Sequence, residues 1–147
     1  MTGTINNTGP AISDPQADIA AILENYRTVA VVGLSPNAHR DSFGVAQYMQ
    51  SQGWRIVPIN PNASQILGET CYPSLTEAAR HHAIELVDVF RNGADVPPVV
   101  ADAVTIGAKA IWLQLGVVHE AAAQQARDAG LLVVQNKCLL VEHRRKG

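Results

Sequence analysis

The sequence predicts an α/β fold of three layers, in which a five-stranded parallel sheet has helices on both faces. The β-branched-rich run at 29–32, followed at once by the turn residues Gly33, Ser35 and Pro36, is typical of a buried parallel strand, and four further short, largely apolar runs are predicted strands. Helical segments alternate with these runs along the chain, which is the pattern of consecutive βαβ units. Right-handed crossovers then favour a Rossmann-like sheet with the strand order 3-2-1-4-5. The predicted strands cover about residues 29–34, 55–59, 85–90, 109–113 and 131–135.

The first predicted helix has the clearest start signal in the chain. Asp14 is a good N-cap residue, and Pro15 fits the first helical position. Apolar residues follow at helical spacing from Ile19 to Tyr26, so one face of this helix is expected to be buried. Further helices are expected at about 43–52, 74–81, 96–106 and 117–129. In the second strand, Pro58 lacks an N–H donor, which favours a sheet edge or a strand end.

Length and composition predict one globular domain. The chain has 147 residues, of which 47% are hydrophobic and 16% are charged. Residues 1–13 are rich in Thr, Asn, Gly and Pro and are expected to be a flexible lead-in to a single domain at 14–147. A net charge of −2 argues against a nucleic-acid or anionic-membrane surface. The basic cluster at 143–146 is expected to be a solvated tail.

The cysteine count and the terminal sequence favour a cytoplasmic protein. Two cysteines, Cys71 and Cys138, do not make a disulfide framework. The first ten residues lack the apolar stretch of a signal peptide, and no run approaches the roughly 20 apolar residues of a membrane span. Whether the protein forms a homodimer or binds another protein stays open.

The residues that follow the predicted strands are the candidates for a binding site, because open α/β sheets bind ligands at the carboxyl ends of their strands. These positions are rich in hydrogen-bonding and cationic side chains and poor in paired carboxylates, which favours anion binding over acid–base catalysis. The candidates are Gly33, Leu34, Ser35, Pro36, Arg40, Ser42, Asn60, Pro61, Arg91, Asn92, Gln114, Leu115, Gly116 and Cys138.

The loop after the first strand is the strongest candidate for a phosphate site. Gly33 and Ser35 lead toward the start of a helix, where free backbone N–H groups favour an anion. Arg40 or Ser42 would add a donor. The alternative is that Gly33 and Pro36 only form a turn and that Arg40 is solvated. The loop lacks both the G-x-G-x-x-G pattern and a P-loop, and Asn60 stands where NAD-binding folds usually have an acidic residue.

The remaining polar residue types give weaker signals. The five histidines form no metal-ligand set, and a surface position is favoured for each. Cys138 is more simply explained as an inert cysteine, although Lys137 beside it would favour a thiolate in the cleft. Trp54 and Trp112 flank strands and are interpreted as packing residues rather than stacking platforms.

Six segments resemble the small stand-alone CoA-binding domain proteins, relatives of the CoA-binding domain of the succinyl-CoA synthetase α subunit. VDVFRN and IWLQLGV are the most distinctive of these segments, which together run from about 29 to 145. The other four are VAVVGLSPNAHRDSFGVAQYM, GWRIVPINPN, GETCYPSL and AGLLVVQNKCLLVEHRR.

The resemblance implies a Rossmann-like domain that holds CoA across its strand ends. It places the first loop, with Gly33, Ser35 and Pro36, near the phosphates, and Asn60 and Pro61 near the nucleotide. It places Arg91 and Asn92 after the third strand. Gln114, Leu115 and Gly116 would lie near the pantetheine arm.

Two departures from the synthetase limit what the resemblance implies. The synthetase's second domain, with its phosphorylated histidine, is not expected within these 147 residues, so the resemblance does not imply ligase activity. The synthetase also has a lysine after the proline of the second strand. Asn62 and Ala63 occupy that region here, which leaves the phosphate to Arg40 or another group.

The favoured hypothesis is therefore a CoA-binding or acyl-CoA-binding protein without catalytic activity. One alternative is an NAD(P)-binding Rossmann protein such as a redox sensor. The other is an acyl-transfer or thiol-exchange enzyme that uses Cys138. On the favoured hypothesis, Gly33→Val and Asn60→Ala are expected to weaken CoA binding without unfolding the protein.

Overall fold

A computed structural model describes residues 14–146 of the chain. The lead-in expected to be flexible, residues 1–13, lies outside the described residues. The helices are α1 (Pro15–Asn25), α2 (Asp41–Ser51), α3 (Leu75–Ala78), α4 (Val96–Thr105), α5 (Glu120–Asp128) and α6 (Leu139–Arg145). The strands are β1 (Thr28–Val32), β2 (Arg55–Ile59), β3 (Gln65–Ile66), β4 (Glu69–Thr70), β5 (Leu86–Val89), β6 (Ala110–Leu113) and β7 (Leu132–Val134).

Five parallel strands form the main sheet in the order β2-β1-β5-β6-β7. The Rossmann-like architecture and the five predicted strands are thus confirmed. The segment 60–73, expected to be a loop, contains the two-residue strands β3 and β4, which pair antiparallel.

The predicted strand order is wrong at one position. The third long strand, β5, pairs with β1 and not with β2, which gives the order 2-1-3-4-5. Pro58 supplies the physical reason, because a strand without one of its N–H donors fits an edge better than an interior position. The outer side of β2 is covered locally by Tyr72, whose N–H donates to the Pro58 carbonyl at 3.0 Å.

Right-handed crossovers explain how the helices divide between the two faces. The chain moves one way from β1 to β2 through α2, then reverses and runs through β5, β6 and β7 with α3, α4 and α5 as connections. A reversal of direction places the connecting helices on the opposite face. Helices α3, α4 and α5 therefore cover one face, whereas α1, α2 and α6 cover the other.

The alternation of side chains along each strand feeds two cores. In β1, Ala30 and Val32 pack with α3, α4 and α5, whereas Val29 and Val31 pack toward α1, α2 and α6. Because both faces are covered, the strands are apolar almost throughout. Trp54 and Trp112 are buried, as predicted for packing residues.

Side-chain caps define the starts of three helices. Asp14 accepts a hydrogen bond from the Ala17 N–H, and Ser74 accepts one from the Glu77 N–H, as their positions predict. The cap of α5 is His119, whose Nδ1 accepts from the Ala122 N–H at 3.0 Å. This helix therefore begins three residues after the predicted start.

The C-terminal segment departs from its prediction. Residues expected to form a solvated tail belong to α6, and His143 is half-buried with its Nδ1 2.8 Å from the Tyr48 hydroxyl. His82 likewise contacts the Tyr72 hydroxyl. The expectation of a surface position is therefore wrong for His82, His119 and His143, because each is half-buried and contributes to local packing or capping. Among residues 14–146, no helix has the length and apolarity needed to cross a membrane.

Candidate functional site

The main cleft lies at the carboxyl ends of the strands, beside the point where the strand order reverses between β1 and β5. It encloses about 710 Å³, within the roughly 300–1,000 Å³ typical of small-molecule sites. Six sequence-predicted residues line it: Arg40, Arg91, Asn92, Gln114, Leu115 and Cys138. An adjoining recess contains Gly33, Ser35 and Ser42, and it shares Arg40 with the main cleft.

Gly33 is required by a close approach between two strand ends. Its φ is +85°, and a Cβ atom built on it would lie 2.3 Å from the Phe90 carbonyl oxygen. The backbone after β5 thus occupies the space that a side chain would need. The expectation that Gly33→Val would leave the fold intact is wrong, because valine cannot fit there without moving this backbone.

Side chains hold the loop after β1 in a fixed shape. The buried Ser42 hydroxyl oxygen accepts a hydrogen bond from the Ser35 N–H at 3.0 Å, and the Ser35 hydroxyl accepts one from the Asn37 N–H. The first two N–H groups of α2, those of Asp41 and Ser42, form no hydrogen bond within residues 14–146. They are the donors that a helix start leaves for an anion.

Two exposed arginines give the cleft its cationic character. Arg40 precedes α2, and Arg91 follows β5. Neither forms an ion pair with any residue of the described range. Asp41 and Asp95 also line the cleft, so the two cations lie among carboxylates and not in a uniformly basic surface.

A buried polar pair lies at the β5 and β6 ends. The Gln114 side chain is 3% exposed, and its Nε2 donates to Oδ1 of Asp88, which is 1% exposed, at 2.5 Å. Burial raises the pKa of Asp88 to about 7, although the hydrogen bond from Gln114 opposes this change. The other carboxylate oxygen of Asp88 has no partner in the described part of the chain.

The opposite wall of the cleft is apolar. Leu115, which is 72% exposed, and Val141, which is 41% exposed, line the cleft together with Val117 and Leu140. The half-buried Cys138 lies beside them, directly before α6, and is a free thiol. The cleft thus combines cationic side chains from the segments after β1 and β5 with apolar side chains from the loop after β6 and from α6.

Five sequence-predicted site residues do not line either cavity. Leu34 is fully buried, and its carbonyl accepts a hydrogen bond from Asn60 Nδ2 at 2.9 Å. Asn60 Oδ1 accepts from the Asn62 N–H. Asn60 therefore ties two loops together, which corrects the expectation that Asn60→Ala would act on binding alone. The other three, Pro36, Pro61 and Gly116, are exposed.

Several residues of the cleft were missed by the sequence analysis. Phe90 and Val45 follow the predicted strand and helix patterns, so they were interpreted only as structural residues. Leu140 and Val141 belong to α6, which was not predicted. Asp88 interrupts an apolar strand, and this interruption was the one available signal for a functional polar group. Within residues 14–146, no three potential metal ligands come together.

Comparison with known proteins identifies the family. A family model described as a CoA binding domain matches residues 27–144. The chain belongs to this CoA-binding domain family. It is 35% identical to the Bacillus subtilis (strain 168) protein YneT over 128 residues, which are 87% of this chain and 93% of that protein. A Pyrococcus horikoshii OT3 structure superimposes with a TM-score of 0.84 at 35% identity, over 96% of this chain and 98% of that one.

A CoA-binding domain of this kind also occurs within a larger ligase. The chain is 31% identical over 85 residues to an ADP-forming acetate–CoA ligase of Archaeoglobus fulgidus. This match covers 56% of the chain but only 12% of the ligase. The resemblance to synthetase CoA-binding domains predicted from the sequence is confirmed.

Proposed function

We propose that this protein binds coenzyme A or an acyl-CoA across the carboxyl ends of β1, β5 and β6. The phosphates would lie toward Arg40, Arg91 and the first turn of α2. The pantetheine arm would extend toward Gln114 and the apolar wall formed by α6. Membership of the CoA-binding domain family supports CoA as the ligand.

The observation that carries this proposal is the pair of arginines without ion-pair partners on one cleft. A guanidinium group forms charge-assisted, often bidentate hydrogen bonds with phosphate oxygens. Arg40 and Arg91 are free to do so, since no carboxylate of residues 14–146 forms an ion pair with them. The unpaired N–H groups of Asp41 and Ser42 add donors directly after Arg40.

The apolar part of the cleft lining is complementary to the pantetheine arm of CoA. Pantetheine combines an apolar chain with two amides and a thiol, and Leu115, Leu140 and Val141 offer apolar surface beside the polar Gln114 side chain. A ligand with one anionic and one apolar end is therefore complementary to this cleft. A dinucleotide is less well supported, because Asn60 uses its side chain to hold the loops.

We further propose that the protein binds its ligand without chemical turnover. The prediction rests on the strand-end residues, which supply hydrogen-bond donors and acceptors and no evident nucleophile–base pair. Incubation with acetyl-CoA is expected to release no free thiol above the buffer rate. Thiol release that disappears in a Cys138→Ser variant would instead support the enzyme alternative.

A thermal-shift titration tests ligand identity. Coenzyme A at about 100 times its dissociation constant should stabilise the native state by roughly 2.7 kcal/mol, which raises the melting temperature by roughly 5–10 °C. Dephospho-CoA, acetyl-CoA and NAD are measured in parallel. A shift with CoA but not with NAD supports the proposal. A shift with NAD alone, or with none of these compounds, contradicts it.

A further inference from the structure

Asp88 is an unusual residue for its position. It lies in β5, in register between Val31 of β1 and Trp112 of β6, and its side chain is 1% exposed. Its neighbours on this face of the sheet are apolar, and α1, α2 and α6 cover them. A carboxyl group buried in such surroundings is destabilising unless its partners compensate. Its only hydrogen-bond partner in the described range is Gln114.

The backbone holds Gln114 in place at the floor of the cleft. Its N–H donates to the Val89 carbonyl at 3.2 Å, and its carbonyl accepts from the Val117 N–H at 2.8 Å. With these two bonds fixing the main chain, the remaining freedom of the residue is in its side chain. Gln114 lines the main cleft, so the orientation of its amide determines what the floor presents to a ligand.

The observed hydrogen bond determines the orientation of that amide. An ionised carboxylate can only accept hydrogen bonds, so it must receive the amide nitrogen of Gln114. The amide oxygen accepts no hydrogen bond from residues 14–146, and it is not among the fully enclosed polar atoms without partners, which are Asp88 Oδ2 and Arg127 Nε. The Oε1 atom is therefore not fully enclosed, and Gln114 itself lines the cleft.

We propose that Asp88 is a positioning residue that sets which half of the Gln114 amide faces the ligand. When Asp88 is ionised, it holds the NH₂ group and leaves Oε1 to accept a hydrogen bond. When Asp88 is protonated, its hydroxyl donates to Oε1, and the NH₂ group turns toward the cleft. Protonation of Asp88 thus changes the group at the floor of the cleft from a hydrogen-bond acceptor to a hydrogen-bond donor. No atom of Asp88 needs to touch the ligand.

Both states are accessible near neutral pH. Burial raises the pKa of Asp88 to about 7, and the Gln114 hydrogen bond is the one opposing influence. Within residues 14–146, burial and the Gln114 hydrogen bond are the causes of this change in pKa. The titratable and charged groups on the three helices that cover this face are Asp18, Glu24, Asp41, Tyr48, Glu142, His143, Arg144 and Arg145. Those that line the adjoining cleft outside these helices are Arg40, Arg91, Asp95 and Cys138.

The group of the ligand that would meet Gln114 Oε1 is inferred from the proposed function, CoA binding. Pantetheine carries two amide N–H donors, and the Oε1 atom is their complement beside the apolar lining of the cleft. The ionised state of Asp88 is then the state that binds CoA tightly. By linkage, CoA binding in turn lowers the pKa of Asp88 and releases part of a proton near neutral pH.

Binding affinities as a function of pH test the proposal. For the wild-type protein, the dissociation constant of CoA is expected to rise about fivefold from pH 8 to pH 6, which corresponds to the loss of one hydrogen bond. In Asp88→Asn, position 88 no longer titrates, so the dissociation constant is expected to lack this rise between pH 8 and pH 6. Dephospho-CoA controls for titration of the 3′-phosphate.

A measurement without ligand separates this proposal from the proposed function. The side-chain ¹⁵N–¹H signals of Gln114, assigned by their absence in Gln114→Met, should titrate with a midpoint near 7 in the free protein. They should not titrate in Asp88→Asn. If CoA fails to bind but these signals titrate, the proposed function is wrong and the positioning role stands.

Two results would overturn the positioning role. One is a Gln114 amide whose signals are constant across this pH range in the wild-type protein. The other is an equal pH dependence of CoA binding in the wild type and in Asp88→Asn. If Asp88→Asn does not fold, Gln114→Met replaces it in the binding experiment. This variant removes both polar atoms at similar length, so it should also lose the pH dependence. Unchanged pH dependence in Gln114→Met would reject the proposal.

Discussion

The Tyr48 hydroxyl lies 2.8 Å from Nδ1 of His143 and joins α2 to α6. The His143 ring also makes edge-to-face contacts with the Tyr48 and Trp54 rings, so three aromatic rings pack together at this point. Helix α6 in turn contributes Leu140 and Val141 to the cleft. A hydrogen bond outside the cleft lining therefore holds one wall of the binding site.

Removal of this hydrogen bond should loosen α6. Tyr48→Phe keeps the ring and deletes the hydroxyl, and it is expected to lower the free energy of unfolding by about 1 kcal/mol. Urea denaturation measures the change. Tyr26→Phe is the matched control, because the Tyr26 hydroxyl has no hydrogen-bond partner within residues 14–146 and its ring packs against the same core. Equal losses in both variants would exclude a specific role for the Tyr48–His143 bond.

The same contact predicts a loss of stability in acid. Burial lowers the pKa of His143 below the ordinary value of 6.5, and the nearby Lys146 and Arg27 charges add to this effect. The unfolded chain therefore binds this proton more readily than the folded one. The contribution of His143 to stability is present above about pH 6.5 and is lost as the pH falls below that value.

Denaturation at several pH values measures this dependence. The free energy of unfolding of the wild-type protein should exceed that of His143→Gln by less as the pH is lowered from about 7.5 to about 5. This range brackets the ordinary histidine pKa of 6.5. The exposed His39 provides the control, because His39→Gln should follow the wild type at every pH. A difference between wild type and His143→Gln that does not change with pH would contradict this assignment.

Gly33→Ala should destabilise the protein more than an alanine at another glycine of similar backbone conformation. Gly33 and Gly53 have φ values of +85° and +90°. Alanine is therefore strained in the left-handed region in both Gly33→Ala and Gly53→Ala, which destabilises each by about 1 kcal/mol. A Cβ at Gly53 meets nothing within 4 Å, whereas one at Gly33 meets the Phe90 carbonyl. We expect a total loss of about 2–4 kcal/mol for Gly33→Ala. Equal melting temperatures for the two variants would argue against the close approach.

Asp88→Asn should change how stability varies with pH. Because burial raises the pKa of Asp88 to about 7, folding disfavours its ionised form. Its contribution to stability is therefore fullest below the ordinary value of 3.8 and is lost as the pH rises to about 7. Relative to Asp88→Asn, the wild type should lose on the order of a few kcal/mol across this interval, at about 1.4 kcal/mol per pKa unit. Parallel stability curves for the two proteins would contradict a buried, titrating Asp88.

The two cleft arginines should each contribute to CoA affinity. Arg40→Gln and Arg91→Gln are expected to weaken CoA binding by about threefold to tenfold each, with smaller effects at high salt because these side chains are exposed. Isothermal titration calorimetry measures the affinities. Arg144→Gln is the control, since Arg144 is also exposed and forms no ion pair within residues 14–146 but lies outside the cleft. If Arg144→Gln lost as much CoA affinity as Arg40→Gln or Arg91→Gln, the effect would come from overall charge and not from contacts in the cleft.

The sheet was predictable because its strands are buried on both faces. Continuous apolar runs such as 29–32 occur where helices cover the sheet on each side, so composition alone marked all five strands. The order of the strands in the sheet was harder to predict, because it depends on which strands pair with each other in the folded protein. Pro58 carried the relevant information. Its missing donor favoured an edge, yet the predicted order placed its strand between two others.

The candidate site was predictable wherever it consists of residues directly after a strand. Arg91 and Gln114 lie on the cleft because parallel strands end at one edge of the sheet, and Arg40 reaches it at the end of the loop after β1. The contribution of α6 was not predictable, since its seven residues show little helical periodicity and its docking depends on the distant Tyr48. The role of Asn60 was also hidden, because its partners are a backbone carbonyl and a backbone N–H group.

The position of α6 in the chain has a consequence for synthesis. The strands β1, β5 and β6 and the loop that holds Arg40 all precede residue 115, whereas Leu140 and Val141 of the apolar wall lie in α6, at 139–145. A nascent chain that has emerged only through β7 can form the sheet but not the α6 part of the wall. The complete cleft therefore forms only after α6 has emerged and docked.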